Sequence, residues 1–223
     1  MYRHSRTKAA SGICRFIISM MPPHDTYIET HLGSGDIMRR KPPASNNIAI
    51  DLNLDVLRSF NCDYYVKKVN GCAHKFIKTY NFLGCEMVYC DPPYLLYNHF
   101  SVAPKRFIYK EQDHIELLEL LKGLPCSVMI SGAPTTLYDY LLKDWGNLEL
   151  QVMSHNCVRT EKLWFNFTPD GDHWARSAGK NTVDRQRIKR KAQSWGNIYQ
   201  ALPRGERIAV LSEVMNVEAQ DAE

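Results

Sequence analysis

The sequence predicts an α/β chain: a doubly wound, mostly parallel sheet covered by helices on both faces, with an antiparallel strand pair at its end and a basic helical tail. Three observations predict it. Short apolar runs of strand length alternate with segments of helical period, the pattern of parallel βαβ units. The last two alternating runs, 148–152 and 163–167, follow each other as an antiparallel ribbon does. Positive charge gathers late in the chain. Between residues 176 and 207 nine Lys and Arg face two acids, a net of +7 in a chain of net +4, so the remainder carries about −3.

Taken in order, residues 13–21 have helical period and stop at Pro22-Pro23, since proline cannot continue a helix. Residues 27–29 begin a short strand that closes in the turn Gly33-Ser34-Gly35-Asp36. Residues 48–51 form a second strand ending in an acid. Residues 55–60 and 76–80 read as helices. Glu86–Cys90 is the strand that leads into Asp91-Pro92-Pro93-Tyr94, and Glu111–Lys122 is an amphipathic helix with Ile115, Leu118 and Leu121 on one face. Residues 126–131 are a further strand, closed by Gly132-Ala133-Pro134, and 137–142 a short helix. Trp164, Phe165 and Phe167 alternate within the last run, as core and sheet-end packing does. His114 and His155 have no companions with catalytic or metal-ligating spacing, and Trp195 reads as the contact that docks the tail helix. Residues 171–181, rich in Gly, Ser, Asn and charge, are the expected mobile loop. The organisation expected is one domain over 1–169 and a basic, largely helical extension over 170–223.

Composition bounds the function. At 223 residues and 44% hydrophobic the chain can bury a core, and no apolar run approaches the roughly 18 residues that span a bilayer. The N-terminal basic and apolar stretch is broken by Cys14-Arg15 and lacks a small-residue cleavage site, so it is expected to be an amphipathic helix of the mature protein. Seven scattered cysteines without a Cys-x-x-Cys pair argue for reduced thiols in a cytoplasm, against a disulfide framework and against a zinc site.

The residues with chemistry fall at strand ends, where ligands bind in such sheets. Gly33 and Gly35 let backbone approach a ligand closely. Asp51, sixteen residues after Gly35, suits the two hydroxyls of a ribose. Forty residues further on, Asp91 and the Pro92 carbonyl form a pair of acceptors for one NH₂ group, because two consecutive prolines remove two N–H donors. Tyr94 offers a π face on which a flipped-out base can stack.

In that order these residues resemble the small phage- and prophage-encoded DNA adenine methyltransferases that use S-adenosylmethionine, and the resemblance covers nearly the whole chain. Residues 7–12 and the helix after them resemble the family's N-terminal cofactor motif. Tyr27-Ile28-Glu29-Thr30-His31-Leu32-Gly33-Ser34-Gly35 resembles its glycine motif. Ile50-Asp51-Leu52 matches the ribose-binding acid, and residues 88–95 match the catalytic motif. Residues 159–167 resemble the late strand and residues 185–195 the basic C-terminal helix. The resemblance implies a Rossmann-like methyltransferase fold. It also implies a cofactor site of Lys8, Gly12, Glu29, His31, Leu32, Gly33, Gly35, Asp51, Leu52 and Asp91, a catalytic set of Asp91, Pro92, Pro93 and Tyr94, and no metal.

The chain departs from the family at Thr30-His31, where Pro-Phe is usual, at Asp36, where a small residue is usual, and at Gly71-Cys72-Ala73, where many relatives carry an acid. Its expected partner is duplex DNA. Contacts are expected from the segment after the tetrad (Asn98, Lys105 and Arg106, with His99 and Tyr109) and from the tail (Arg185, Arg187, Lys189, Arg190 and Lys191). The tetrad alone also allows an RNA amino-methyltransferase acting on adenine or guanine, and the departures allow a DNA-binding protein that keeps the fold without the chemistry. Oligomeric state and recognition sequence are left open.

Overall fold

A computed structural model describes residues 13–95, 109–154, 157–169 and 182–220. Its centre is a strand pair buried along its whole length. β1 (Thr26–Glu29) lies parallel to β4 (Glu86–Cys90), with Glu29 opposite Tyr89. On the far side of β1 come β2 (Asn46–Asp51) and β3 (Lys67–Asn70), both parallel to it. Beyond β4 lies parallel β5 (Ser127–Gly132), then antiparallel β7 (Cys157–Phe165), then β6 (Gly146–Ser154) paired with β7. The seven strands among the described residues thus run β3-β2-β1-β4-β5-β7-β6. This is the expected doubly wound sheet with its antiparallel pair at one end.

Strand alternation sends neighbouring side chains to opposite faces, and two cores result. On one face Tyr27, Met87, Tyr89, Met129 and Leu163 share a core with Ile17 of α1 (Ile13–Met20), with Met21 just after it, and with α2 (Asp36–Arg40) and α3 (Leu54–Ser59). On the other, Ile28, Val88, Cys90, Val128, Ile130 and Trp164 meet α4 (Ala73–Thr79), α5 (Glu111–Lys122) and α6 (Thr136–Leu141), with Leu117, Leu118 and Leu121 fully buried. Each such aliphatic side chain contributes about 1.5–3 kcal/mol on burial. Trp164, the largest, hides completely while its Nε1 donates to Asp139 Oδ1 at 2.9 Å. Phe165 is buried and Phe167 packs against it, as the alternation implied.

Local chemistry fixes the ends of the strands that matter. The buried Glu86 carboxylate accepts N–H bonds from Leu83 (2.8 Å) and Gly84 (2.9 Å), closing the turn before β4, where Gly84 takes a φ of 92°. Asn166 extends β7 by side chain: Val128 N–H donates to its Oδ1 (2.7 Å) and its Nδ2 donates to Cys126 O (2.9 Å). β3 and α2 carry little pattern of their own. Lys67, Lys68 and Asn70 of β3 are exposed edge residues, and α2 is five residues long, too short for a period to show.

The tail forms two helices, α7 (Thr182–Ala201) and α8 (Arg204–Gln220). α8 packs on β6 and α1 and sends Met215 into the first core. α7 is exposed along most of its length, with Arg185, Arg187, Lys189, Arg190 and Lys191 all at the surface. Trp195 is 63% exposed, so it does not dock this helix as its place in the sequence suggested. An aromatic amid charge gives no sequence signal for whether it faces protein or solvent. No described helix is long and apolar enough to cross a membrane.

Candidate active site

The carboxyl ends of β1, β2, β4 and β5 converge, and most of the expected site residues gather there. Gly33 and Gly35 adopt φ values of 51° and 67°, a left-handed backbone that side chains resist. A Cβ on Gly35 would come within 2.3 Å of the Phe60 ring, whereas one on Gly33 would meet nothing within 4 Å. The first glycine therefore faces open space and the second is locked against the core. The Gly33 N–H donates to Asp51 Oδ2 (3.0 Å) and the Asn53 N–H to Asp51 Oδ1 (2.8 Å), so main-chain donors hold this carboxylate beside the turn. Leu52 is half exposed next to it. Glu29 and Leu32 are buried: Glu29 accepts the Tyr27 hydroxyl at 3.1 Å, and Leu32 donates its N–H to Ile50 O at 2.9 Å while its side chain joins the core.

His31 stands where β1 ends. Its Nδ1 is 3.0 Å from Thr30 Oγ1 and 3.5 Å from Cys90 Sγ, and its Nε2 is 2.9 Å from the Tyr109 hydroxyl. Burial, with His74 and His114 nearby, lowers its pKa to about 3, so it is neutral at physiological pH. Tyr109, at the end of the segment expected to contact DNA, is partly buried with its ring against His31, His74 and His114. His114 is structural: it is buried, bonded to the Tyr138 hydroxyl at 2.7 Å, and held by burial at a pKa of about 4.

On the neighbouring strand, Asp91 follows β4. Ser131 Oγ donates to Asp91 Oδ1 at 3.0 Å, and the Tyr89 hydroxyl lies 2.8 Å from the same Ser131 oxygen. Tyr89 and Ser131 are both buried, so a relay of two hydroxyls from adjacent strands orients the carboxylate. Pro92, Pro93 and Tyr94 form one wall of a pocket whose other wall is Ser131, Gly132, Ala133, Thr135 and Tyr138. Tyr94 donates its hydroxyl to Glu161 Oε2 at 2.8 Å, and the Arg159 guanidinium lies 5.2 Å from its ring centroid.

The structure thus brings Glu29, His31, Gly33, Gly35, Asp51, Asp91 and the tetrad to one edge of the sheet. The basic residues of α7 lie apart on an exposed helix. Lys8, Gly12, Asn98, His99, Lys105, Arg106, His155 and the loop 171–181 lie outside the described residues. Ser131, Arg159 and Glu161 had no assigned role from sequence. The signals in the chain were slight: a polar residue ending the strand after the tetrad strand, and two charges spaced by two in a β run. Among the described residues no three His, Cys, Asp or Glu groups are arranged to hold a metal ion.

No protein-family model matches the chain, and neither does any curated protein. Solved structures do. The N-methyltransferase NodS from Bradyrhizobium japonicum WM9, solved with S-adenosyl-L-homocysteine, is similar at a TM-score of 0.51 and 8% identity over 76% of this chain and 92% of its own. TrmK from M. capricolum, also solved with S-adenosyl-homocysteine, gives 0.45 and 9% over 94% and 96%, and an rRNA methylase from Streptococcus thermophilus gives 0.45 and 8% over 74% and 99%. The NodS likeness bears on the fold, and with the strand order it identifies the architecture: a Rossmann-like methyltransferase fold with an antiparallel pair at its end.

Proposed function

We propose that this chain transfers a methyl group from S-adenosylmethionine to the N6 amine of a flipped-out adenine in DNA. The observation that carries the reading is the Asp91 carboxylate, oriented by Ser131 and followed directly in the chain by Pro92, Pro93 and Tyr94, which line a pocket together with that same Ser131. That arrangement stands one strand from the glycine turn and two from Asp51.

The residues at the β1–β2 end fit the cofactor. Space over Gly33 admits a ligand where a side chain would project, and Asp51, fixed by two N–H donors, presents carboxylate oxygens to a ribose diol. When bound, S-adenosylmethionine supplies a sulfonium methyl already activated for displacement. The protein's share is then chiefly positioning. The adenine amine is a poor nucleophile because its lone pair is delocalised into the ring. Asp91 and the Pro92 carbonyl, by accepting both N–H bonds, favour a pyramidal nitrogen and stabilise the positive charge that develops on it. Tyr94 stacks on the extruded base and offsets part of the few kcal/mol that flipping costs. Neutral His31, tethered to Thr30 and Tyr109, fills the place of the family's usual Phe without adding charge next to a sulfonium. The basic face of α7 supplies phosphate contacts, which set affinity and register and not sequence.

The test is transfer of a labelled methyl from S-adenosylmethionine to unmethylated duplex DNA, with Asp91→Ala as control. The expected result is incorporation into DNA by the wild type and none by the variant. Labelling of RNA but not DNA overturns the substrate. Absence of cofactor binding by calorimetry overturns the enzyme reading in favour of a fold kept without chemistry.

A further inference from the structure

On one face β7 carries two charged side chains, Arg159 and Glu161, that methyl transfer as described does not use. Arg159 and Glu161 are two residues apart on one strand, so both point to the face that carries Leu163. Glu161 is fully buried and accepts the Tyr94 hydroxyl at 2.8 Å. One Arg159 nitrogen lies 3.6 Å from the same Glu161 oxygen, and its guanidinium covers the Tyr94 ring at 5.2 Å. A carboxylate out of water is costly without a partner of opposite charge, and Arg159 supplies it. The phenol of Tyr94 is therefore held at two points, by its hydroxyl and by its ring. The pocket reaches Tyr94 from the β4–β5 side, and β7 contributes none of its described walls.

We infer that Arg159 and Glu161 are positioning residues that set Tyr94 as a fixed platform before the target base arrives. Glu161 fixes the ring's rotation, and Arg159 lies over the ring and steadies it. The inference rests on the methyl-transfer reading of this pocket and adds how its stacking surface is prepared. A free aromatic side chain would have to be immobilised each time a base entered. A tethered one has that ordering already done. The consequence falls on the equilibrium between stacked and extruded base within the complex. It therefore falls on kcat, while phosphate contacts outside the pocket govern KM for DNA.

Steady-state transfer from tritiated S-adenosylmethionine to unmethylated plasmid DNA tests this with three variants. Tyr94→Phe keeps the ring and removes the tether; its kcat falls about tenfold, the equivalent of one hydrogen bond to a charged acceptor. KM for DNA stays within about twofold by the same separation of pocket and phosphate contacts. Glu161→Ala reproduces this loss, and Glu161→Gln, which still accepts the hydroxyl, recovers most of it. If Glu161→Ala fails to fold in a thermal melt, Tyr94→Phe and Glu161→Gln decide the matter alone. Tyr94→Phe with wild-type kcat overturns the inference, as does equal loss in Glu161→Gln and a folded Glu161→Ala. Wild-type protein that methylates no nucleic acid overturns the reading of the pocket, and this inference with it.

Discussion

At the β1–β2 side of the sheet the strand-end acid is held by backbone; at the β4–β5–β7 side it is held by side chains. Asp51 takes its two bonds from the N–H groups of Gly33 and Asn53, both close to it in the chain or in an adjoining turn. Asp91 depends on Ser131, forty residues on, and Tyr94 depends on Glu161, sixty-seven residues on. The first half is a local construction that glycine geometry makes nearly automatic. The second exists only when three strands have paired in register. On the methyl-transfer reading proposed above, backbone would fix the end whose ligand is the same in every turnover, and side-chain relays the end that grips an amine and releases it.

Variants separate the two halves. The largest effect is expected at Asp91, where Ala removes an acceptor and drops transfer by at least about 10²–10³-fold, while calorimetric affinity for S-adenosylhomocysteine changes far less. Loss of both together would show that the halves are one unit. Gly35→Val should act on the other half. A Cβ 2.3 Å from the Phe60 ring at a positive φ costs about 1–3 kcal/mol from crowding alone, lowering Tm and weakening cofactor binding. Unchanged cofactor affinity in a folded Gly35→Val protein would detach the turn from the ligand. Ser131→Ala should lower kcat about tenfold, one net hydrogen bond to a charged group, and leave cofactor affinity alone.

Reversing charge at Arg187, Lys189 and Arg190 should weaken DNA binding and reduce the salt slope by about 0.9 for each phosphate that the helix no longer neutralises; an unaltered slope would remove α7 from the interface. The smallest effect concerns pH. His31 binds its proton far more weakly folded, near pH 3, than unfolded, near 6.5. Between those values the unfolded chain holds more protons. Stability is therefore full above about 6.5 and declines as pH falls below it, and His114 adds to the trend. His31→Phe should flatten, without abolishing, the fall in Tm between about pH 6.5 and 5.

The same contrast explains what could be read from sequence. The glycine turn, Asp51 and Asp91 announce themselves because each combines a residue type with a strand end, and the first two also depend on backbone geometry. Glu86–Cys90 and Ser127–Gly132 were legible as short apolar runs because both are buried in the middle of the sheet, and the last two strands were legible by their alternation. β3 was not, since an edge strand with two exposed lysines has no reason to look hydrophobic. Ser131 and Glu161 were invisible as site residues because their meaning comes from pairings, Ser131 opposite Leu163 and Gly132 opposite Lys162, that periodicity does not encode. The contacts of Tyr109 were not legible for a related reason: an aromatic after a charged loop carries no mark of the three histidines it folds onto.

The strand order has a consequence for the chain as it is being made. β1 appears first but is flanked by β2 and β4, and β5 gains its second neighbour only after β7 is complete, 33 residues later (165 − 132). At the usual pace of about 5–20 residues per second, β5 waits roughly two to seven seconds with an open, apolar edge. Such edges invite pairing with other chains. The glycine turn around Asp51 can be complete by then, whereas the wall that holds Tyr94 does not yet exist. Slowed elongation across residues 133–156 should therefore raise the fraction of nascent chains lost to aggregation more than slowing anywhere upstream of β4.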